Sequence, residues 1–497
     1  MTTDSSVSHR LLDTLERWGN RLPHPALLFV WLCVLVMACS VGMSLAGVAA
    51  VHPVTDEAIS VRNLLAAEGV RYVLGSMVTN FTGFAPLGIV LVALIGIGIA
   101  ERSGLLGAVL AALVRASPQS GLVPVVAFAG VLSSLAVDAG YVVLIPLAGL
   151  LFHLAGRHPL AGIAVGFAAV SGGFSANLLI GPVDAMLAGL TTEAARVVDP
   201  QITVPASVNY WFIVASTFLV ATVITLVTRF WVEPWLGSPP PASESTAAAL
   251  PGAADRRALR LAGFATLAVI ALILVLVVPA GGPLRNADGG LLPSPLIDSS
   301  VVLVALIAAV AGITYGYASG SFRRGSDIIQ AMEETLSSLA GYLVLMFFAA
   351  QFVAWFNWSN IGIVLAIHGA NGLGSLALPT ALLLILLVLF TTLLNLLIGS
   401  ASAKWGLLAP IFVPMLLLLG IGPEATQAAY RVGDSSTNII TPLMPYFVLV
   451  LGFARRYQPE AGVGTLITLM LPYSLTLLGS WSVLLAIWLL AGWPLGF

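Results

Sequence analysis

Residues 171–186 read SGGFSANLLIGPVDAM, and residues 432–447 read VGDSSTNIITPLMPYF. Each stretch sets a Ser-x-Asn tripeptide (Ser175 to Asn177, Ser436 to Asn438) and a following proline (Pro182, Pro442) inside an apolar segment. Proline lacks a backbone donor and interrupts a helix. Inside hydrocarbon, the amides and carbonyls freed by a broken helix must be satisfied by protein or by a water-filled cavity. Two such breaks in corresponding halves of one chain point to the binding region of a secondary transporter.

The rest of the chain supplies the hydrocarbon setting. Its 497 residues are 59% apolar and 8% charged, against about 25% charged in a soluble domain. The fold class is therefore an all-α polytopic membrane protein. A net charge of −2 offers no basic face to nucleic acid. Cys33 and Cys39 both lie in the first apolar segment and suggest neither a disulfide framework nor a metal site. The apolar run begins near Pro25, after a polar leader carrying Arg10, Arg17 and Arg21. Its length favours an uncleaved first span over a signal peptide.

Apolar windows fall at 25–49, 84–115, 119–155, 160–192, 208–232, 258–280, 299–319, 328–368, 376–421, 424–453 and 465–494. Several exceed the roughly 20 residues of one span. The window 119–155 has a polar tip at Ser133-Ser134 and Asp138-Ala139-Gly140. Its arms of roughly 15 residues reach only about 22 Å, which suggests a re-entrant hairpin. The window 376–421 reads as a second hairpin, with Gly399 to Gly406 as its tip and a short return arm. The expectation is about nine transmembrane helices plus two hairpins.

Arginines divide unevenly across that topology. With the N-terminus inside, the cytoplasmic side collects Arg10, Arg17, Arg21, Arg115, Arg157, Arg229, Arg256, Arg257, Arg260, Arg323, Arg324, Arg455 and Arg456. The opposite side holds Arg62, Arg71, Arg196 and Arg285. This bias sets the N-terminus in the cytoplasm and the C-terminus in the periplasm.

A Pro-, Ala- and Ser-rich linker over 237–257 separates two units of similar order. Residues 1–236 form the first repeat, with hairpin one at 119–155 and a broken helix at 160–192. Residues 258–280 form a single connecting helix. Residues 281–497 form the second repeat, with hairpin two at 376–421 and a broken helix at 424–453. The odd connecting span inverts the second repeat in the membrane, a transporter architecture. Glu101-Arg102-Ser103-Gly104 and Asn357-Trp358-Ser359-Asn360 interrupt corresponding long helices.

Charge within a span is expensive and usually serves a cavity. The candidates are Glu101, Arg102, Asp138, Asp184, Lys404, Arg431 and Asp434, with Glu333 and Glu334 near a helix start. Arg431 and Asp434 stand one helical turn apart and can pair on one face; a purely neutralising ion pair is the plainer alternative. Asn177 and Asn438 offer both donors and acceptors beside unwound backbone. They could hold a substrate amide or carboxylate, give oxygen ligands to sodium, or merely cap their own helices. Lys404 and Trp405 fall on the tip of hairpin two. There the lysine is exposed to solvation, and the indole can stack on an aromatic substrate or anchor at the interface. Asn395, in the first arm of that hairpin, needs a buried partner. Pro423 punctuates the turn before Glu424.

The segments NLLIGSASAKWGLLAPIFVPM (Asn395 to Met415) and AYRVGDSSTNIITPLMPYF (Ala429 to Phe447) resemble the aminobenzoyl-glutamate transporter (AbgT) family. The stretch from Ser171 to Asp184 is similar too. The resemblance implies a homodimer in the bacterial inner membrane, with a transport core inside a scaffold and a bowl open to the cytoplasm. It also implies uptake of p-aminobenzoyl-glutamate and export of sulfonamide antimetabolites. The family's functional positions match Asp184, Asn395, Ser402, Trp405, Pro423, Arg431, Asp434 and Pro442. The wider plan looks like that of sodium/dicarboxylate symporters with paired Ser-Asn-Thr tips, represented here by SAN and STN.

Together these readings give a secondary transporter of a folate-related aromatic compound, not an enzyme, needing no cofactor. Arg431, Asn177 and Asn438 would hold the substrate, Trp405 would stack its ring, and Asp184 and Asp434 would carry protons. Sodium is the alternative coupling ion, with Asp138, Asn177 and Asn438 as its candidate ligands. Sodium-coupled carboxylate uptake is the alternative function. An intramembrane aspartyl protease and a channel are the readings from other classes. The chain has no Gly-x-Gly-Asp motif for the first and no filter-like repeat for the second.

Overall fold

The structure, a computed structural model, describes residues 25–51, 58–115, 121–135, 140–237, 256–279, 281–286, 288–290, 294–444 and 446–497. The N-terminal leader, Asp138, Pro445 and nearly all of the 237–257 linker lie outside them.

The first unit contains α1 (Pro25–Leu45), α2 (Ala67–Thr82), α3 (Ala85–Arg102), α4 (Leu105–Arg115), α5 (Leu122–Leu132), α6 (Ile145–Leu154), α7 (Pro159–Phe167), α8 (Pro182–Ala195) and α9 (Tyr210–Val227). After α10 (Arg256–Val277) come α11 (Ser300–Ser319), α12 (Gly325–Ser338), α13 (Ala340–Trp358), α14 (Ile361–Ser375) and α15 (Thr380–Asn395). The chain ends with α16 (Ala401–Leu418), α17 (Pro423–Thr437), α18 (Phe447–Arg455) and α19 (Val463–Leu490). Among the described residues the strands form one two-stranded antiparallel ribbon of Ala49–Val51 and Ala58–Ser60, paired Ala50 to Ile59.

The chain is a multi-pass membrane protein. Eight helical stretches among the described residues are long and apolar enough to cross a bilayer. The difference from the expected nine has a physical cause. Helices α7, α8, α17 and α18 are halves of broken segments, each 9 to 15 residues long, too short to span alone at 1.5 Å per residue.

Two boundaries differ from expectation. Helix α2 adds a long segment that Glu68, Arg71 and its polar residues conceal from an apolar window. Helix α16 starts at Ala401 and runs 18 residues, about 27 Å. The return arm is therefore not short, and Lys404 and Trp405 lie in its first turns instead of on a tip. Ser400 caps it by accepting a hydrogen bond from the Ala403 N–H at 3.3 Å. By contrast α5 and α6 are short, 11 and 10 residues.

The paired interruptions of the long helices are present. Gly104 (φ 86°) turns the chain between α3 and α4, and Asn360 (φ 61°) does so between α13 and α14, left-handed conformations that glycine and asparagine tolerate best. Arg102 reaches Glu334 on α12 at 3.4 Å, both half-exposed, so this charge lies at the protein's margin.

Without water to expel from lipid, helices associate through close packing of small residues. Helix α3 lies along α11 in this way: a Cβ on Gly312 would come within 2.5 Å of the Ala100 Cα. One apolar core gathers α5 to α7 with α9, α17 and α19. A second gathers α1 to α3 with α8, α13, α14 and α16. Helix α17 joins them, giving Val432 to the first and Tyr430 to the second.

Candidate functional site

Helix α7 loosens into a wide turn over Ala168–Gly172, and regular helix resumes only at Pro182. Gly173 permits the break to sit against α5, because a Cβ there would meet the Ala169 carbonyl oxygen at 2.5 Å and Val131 at 2.8 Å. Asn177 stitches the opened backbone. Its Oδ1 accepts from the N–H groups of Leu178 (2.8 Å) and Leu179 (3.3 Å), and its Nδ2 donates to Ser134 Oγ below α5 (2.7 Å). Asp184 then caps α8, its Oδ2 accepting from the Gly181 N–H at 2.7 Å. A carboxylate in the first turn also answers the positive end of the helix dipole.

The second break begins where α17 ends at Thr437. Asn438 Oδ1 accepts from Asn395 Nδ2 at 2.9 Å, and its own Nδ2 reaches the Ser171 carbonyl at 3.5 Å. The Ser175 N–H donates to Ser435 Oγ at 3.1 Å. Tyr141 and Tyr446 stack with centroids 4.1 Å apart. The two breaks are thus in direct contact. Gly399, ahead of α16, packs against the turn holding Pro442, since a Cβ there would lie 2.6 Å from the Leu443 carbonyl oxygen.

Between them lie four buried charges. Arg431 Nη2 donates to Asp184 Oδ1 at 2.6 Å, and Lys404 Nζ donates to Asp434 Oδ1 at 2.6 Å. All four are at most 5% exposed. The expected Arg431–Asp434 pair does not form. Such a pair would strand Asp184 and Lys404 as bare charges in the interior, whereas cross-helix pairing neutralises all four. Lys404 is accordingly buried, contrary to its expected solvation. It also donates to Asn395 Oδ1, and Asn395 Nδ2 donates to the Asp434 carbonyl at 2.6 Å.

Among the polar atoms buried here without a hydrogen bond are Arg431 Nε, Ser175 Oγ and Asp434 Oδ2. Buried polar atoms are nearly always paired, so each of these can take a hydrogen bond from or to a further group. Arg431, Asp184, Ser175, Asn177 and Ser134 line one crevice of about 10 Å³, room for about one water molecule. An aromatic amide can enter only if the walls part.

Trp405 is not available to stack on a substrate. It is fully buried, tilted against Tyr430 with centroids 4.4 Å apart, and its Nε1 donates to Thr191 Oγ1 at 3.0 Å. Thr191 is bonded to Gln427 Oε1 (2.6 Å), Gln427 donates to Asn209 Oδ1 (3.0 Å), and Asn209 donates to the Glu424 carbonyl (2.8 Å). Ser402 contacts Ser400 at 3.1 Å near the start of α16. Pro423 opens α17, eight residues before Arg431 and about 12 Å from it along the helix, so it stands apart from the charge cluster. Sequence reasoning missed Thr191, Asn209, Gln427 and Tyr430. Gln427, Arg431 and Asp434 recur at i, i+4 and i+7, a shared helix face that could have revealed the glutamine.

The sequence profile of the AbgT putative transporter family matches residues 10–497. The chain is 40% identical over 496 residues to the p-aminobenzoyl-glutamate transport protein of Escherichia coli (strain K12), covering 99% of this chain and 97% of that relative. It is similar to the solved Alcanivorax borkumensis YdaH transporter with a TM-score of 0.92 and 61% identity, covering 96% of this chain and 100% of that one. Similarity to Neisseria gonorrhoeae MtrF, described with a class of antimetabolite efflux pumps, gives a TM-score of 0.91 and 45% identity, covering 96% and 97% of the two chains. With its fold, its paired helix breaks and its full-length match in agreement, the chain belongs to the AbgT family of membrane transporters.

Proposed function

We propose that the protein is a secondary active transporter of p-aminobenzoyl-glutamate and related folate-pathway aromatic compounds, including sulfonamide antimetabolites exported at the expense of a proton gradient. It works as a homodimer in the bacterial inner membrane, N-terminus cytoplasmic and C-terminus periplasmic, with the two repeats inverted about the site and a re-entrant hairpin over 119–155 beside it. The observation carrying this reading is Arg431, which lines the crevice, is held by one carboxylate oxygen of Asp184 and keeps a buried Nε without a hydrogen bond.

A guanidinium binds carboxylates through two parallel hydrogen bonds, so an anionic substrate can draw Arg431 away from Asp184. The deserted carboxylate then needs another positive partner, and a proton can supply it. Proton and anion move together. A neutral sulfonamide instead offers N–H donors to ionised Asp184 and competes there with a proton, which gives exchange. Asp434 serves the same logic against Lys404. Asn177 and Asn438 hold the breaks in register, and Trp405 fixes the substrate side through Tyr430 and Thr191 without touching the ring.

The competing readings fare less well. An aspartyl protease needs two carboxylates sharing a proton, and here each aspartate has its own cation. Sodium-coupled carboxylate uptake keeps the same anion site but a different driving ion. Proteoliposomes loaded with labelled p-aminobenzoyl-glutamate or a sulfonamide, under separate proton and sodium gradients, distinguish them. Proton-driven flux is expected, and it should vanish in the Asp184→Asn/Asp434→Asn double variant. Undiminished proton-driven flux in that variant, at normal expression, rules the mechanism out.

A further inference from the structure

Lys404 is the one lysine in a chain whose other basic side chains are arginines, and it is fully buried. Neutralising Asp434 would not by itself require lysine, since arginine pairs carboxylates through a wider fork of donors. Lysine differs in being a compact point charge. What surrounds that charge resembles the environment of a bound metal ion. Asp434 Oδ1 lies 2.6 Å from Nζ, and Asn395 Oδ1 also accepts from it.

The orientation of Asn395 is fixed by the other end of its amide. Its Nδ2 is engaged by the Asp434 carbonyl at 2.6 Å, Thr437 Oγ1 at 2.9 Å and Asn438 Oδ1 at 2.9 Å. Its oxygen therefore must face the ammonium. Tyr430 OH, against Asp434 Oδ1 at 3.2 Å and the Ala401 carbonyl at 2.6 Å, closes another side. Asp434 Oδ2 is buried and bonded to nothing, so the carboxylate retains an oxygen that the lysine does not use. Oxygen donors of this kind, carboxylate and amide, are those that hard cations take. The first break lacks this combination: its carboxylate, Asp184, is held by Arg431 and the Gly181 N–H, and Asn177 turns its Nδ2 to Ser134 and spends its oxygen on backbone N–H groups.

The geometry points to Lys404 as a tethered cation. Its ammonium occupies a monovalent-cation site built by Asn395 and Asp434 at the second break, and so keeps sodium out of that half of the transporter. This rests on the transport reading and deepens it, because it assigns the metal-like cation at the second break to the protein instead of to sodium. Removing the side chain leaves a carboxylate and an amide oxygen facing a lysine-sized space, which sodium with its water can fill.

The test is thermal unfolding of the purified full-length protein in detergent, in sodium chloride and in potassium chloride of equal concentration. Lys404→Ala should unfold several degrees higher in sodium than in potassium, by more than the native protein does. The gain should be absent in Lys404→Met, whose side chain fills the space without charge, and in the Lys404→Ala/Asp434→Asn double variant, which lacks the ligand charge. Lys404→Ala recovered folded only in sodium would support the assignment equally. Three results overturn it: no sodium gain in folded Lys404→Ala, the same gain in the double variant, or Lys404→Ala recoverable in neither salt. None of these measurements involves flux, so failure here leaves the substrate reading standing, and loss of proton-driven flux leaves this one standing.

Discussion

Asp184 divides its two oxygens between two tasks. Oδ2 caps α8 through the Gly181 N–H, and Oδ1 holds Arg431. Asparagine can keep the cap but leaves a bare guanidinium among buried groups. Losing one member of a buried pair typically destabilises by about 3–5 kcal/mol. Asp184→Asn should therefore lower thermal stability by about that amount. Adding Arg431→Met should return most of the loss, because replacing a whole buried pair with apolar groups is often neutral. A double-variant cycle on purified protein measures this directly. Additive losses, with no recovery in the double variant, would show that the two residues stabilise the fold independently.

Helix α17 is the element on which both pairs depend, and its seat against α15 is close. A Cβ on Gly433 would meet the Val388 carbonyl oxygen at 2.5 Å and Thr391 at 2.8 Å. Gly433→Ala should destabilise by about 1–3 kcal/mol, the usual range for overpacking, and should disturb Asp434 beside it. Gly452→Ala, on α18 with nothing within 4 Å, serves as the control and should be neutral or gain up to about 1 kcal/mol from helix propensity. Equal melting shifts for the two would remove the argument from packing. Elements of this kind were unequally legible. The breaks at Ser175–Asn177 and Ser436–Asn438 declared themselves as polar residues and prolines in apolar surroundings. Helix α2 did not, because Glu68, Arg71 and its polar residues read as surface. The partners of Arg431 and Lys404 were hidden for another reason: local spacing offered Arg431 a plausible mate in Asp434, while the actual mates lie on other helices.

For the whole molecule, a substrate held at the proposed site needs the contacts between the two breaks to part and re-form, since the crevice there is small. Ser175 is only 4% exposed and touches the second break, so it reports that motion. In a Cys33→Ala/Cys39→Ala background, Ser175→Cys should react slowly with a membrane-permeant maleimide at rest. The reaction should quicken under substrate and a proton gradient. Equal rates in the two conditions would mean that the breaks stay closed during turnover. At this scale the sequence was most informative, since apolar content alone marks a multi-pass membrane protein and needs no knowledge of contacts. The second apolar core, joined to the first through α17, could be seen only after folding.

That α17 carries Arg431 and Asp434 one turn apart, each bound to a different neighbour, also bears on how such a chain can diverge. A lineage cannot discard either pair one residue at a time without passing through a protein that holds an unmatched interior charge. At about 3–5 kcal/mol, that intermediate forfeits a large part of the 5–15 kcal/mol by which folded proteins typically persist. Descendants should therefore keep or lose Asp184 together with Arg431, and Lys404 together with Asp434, as inherited couples.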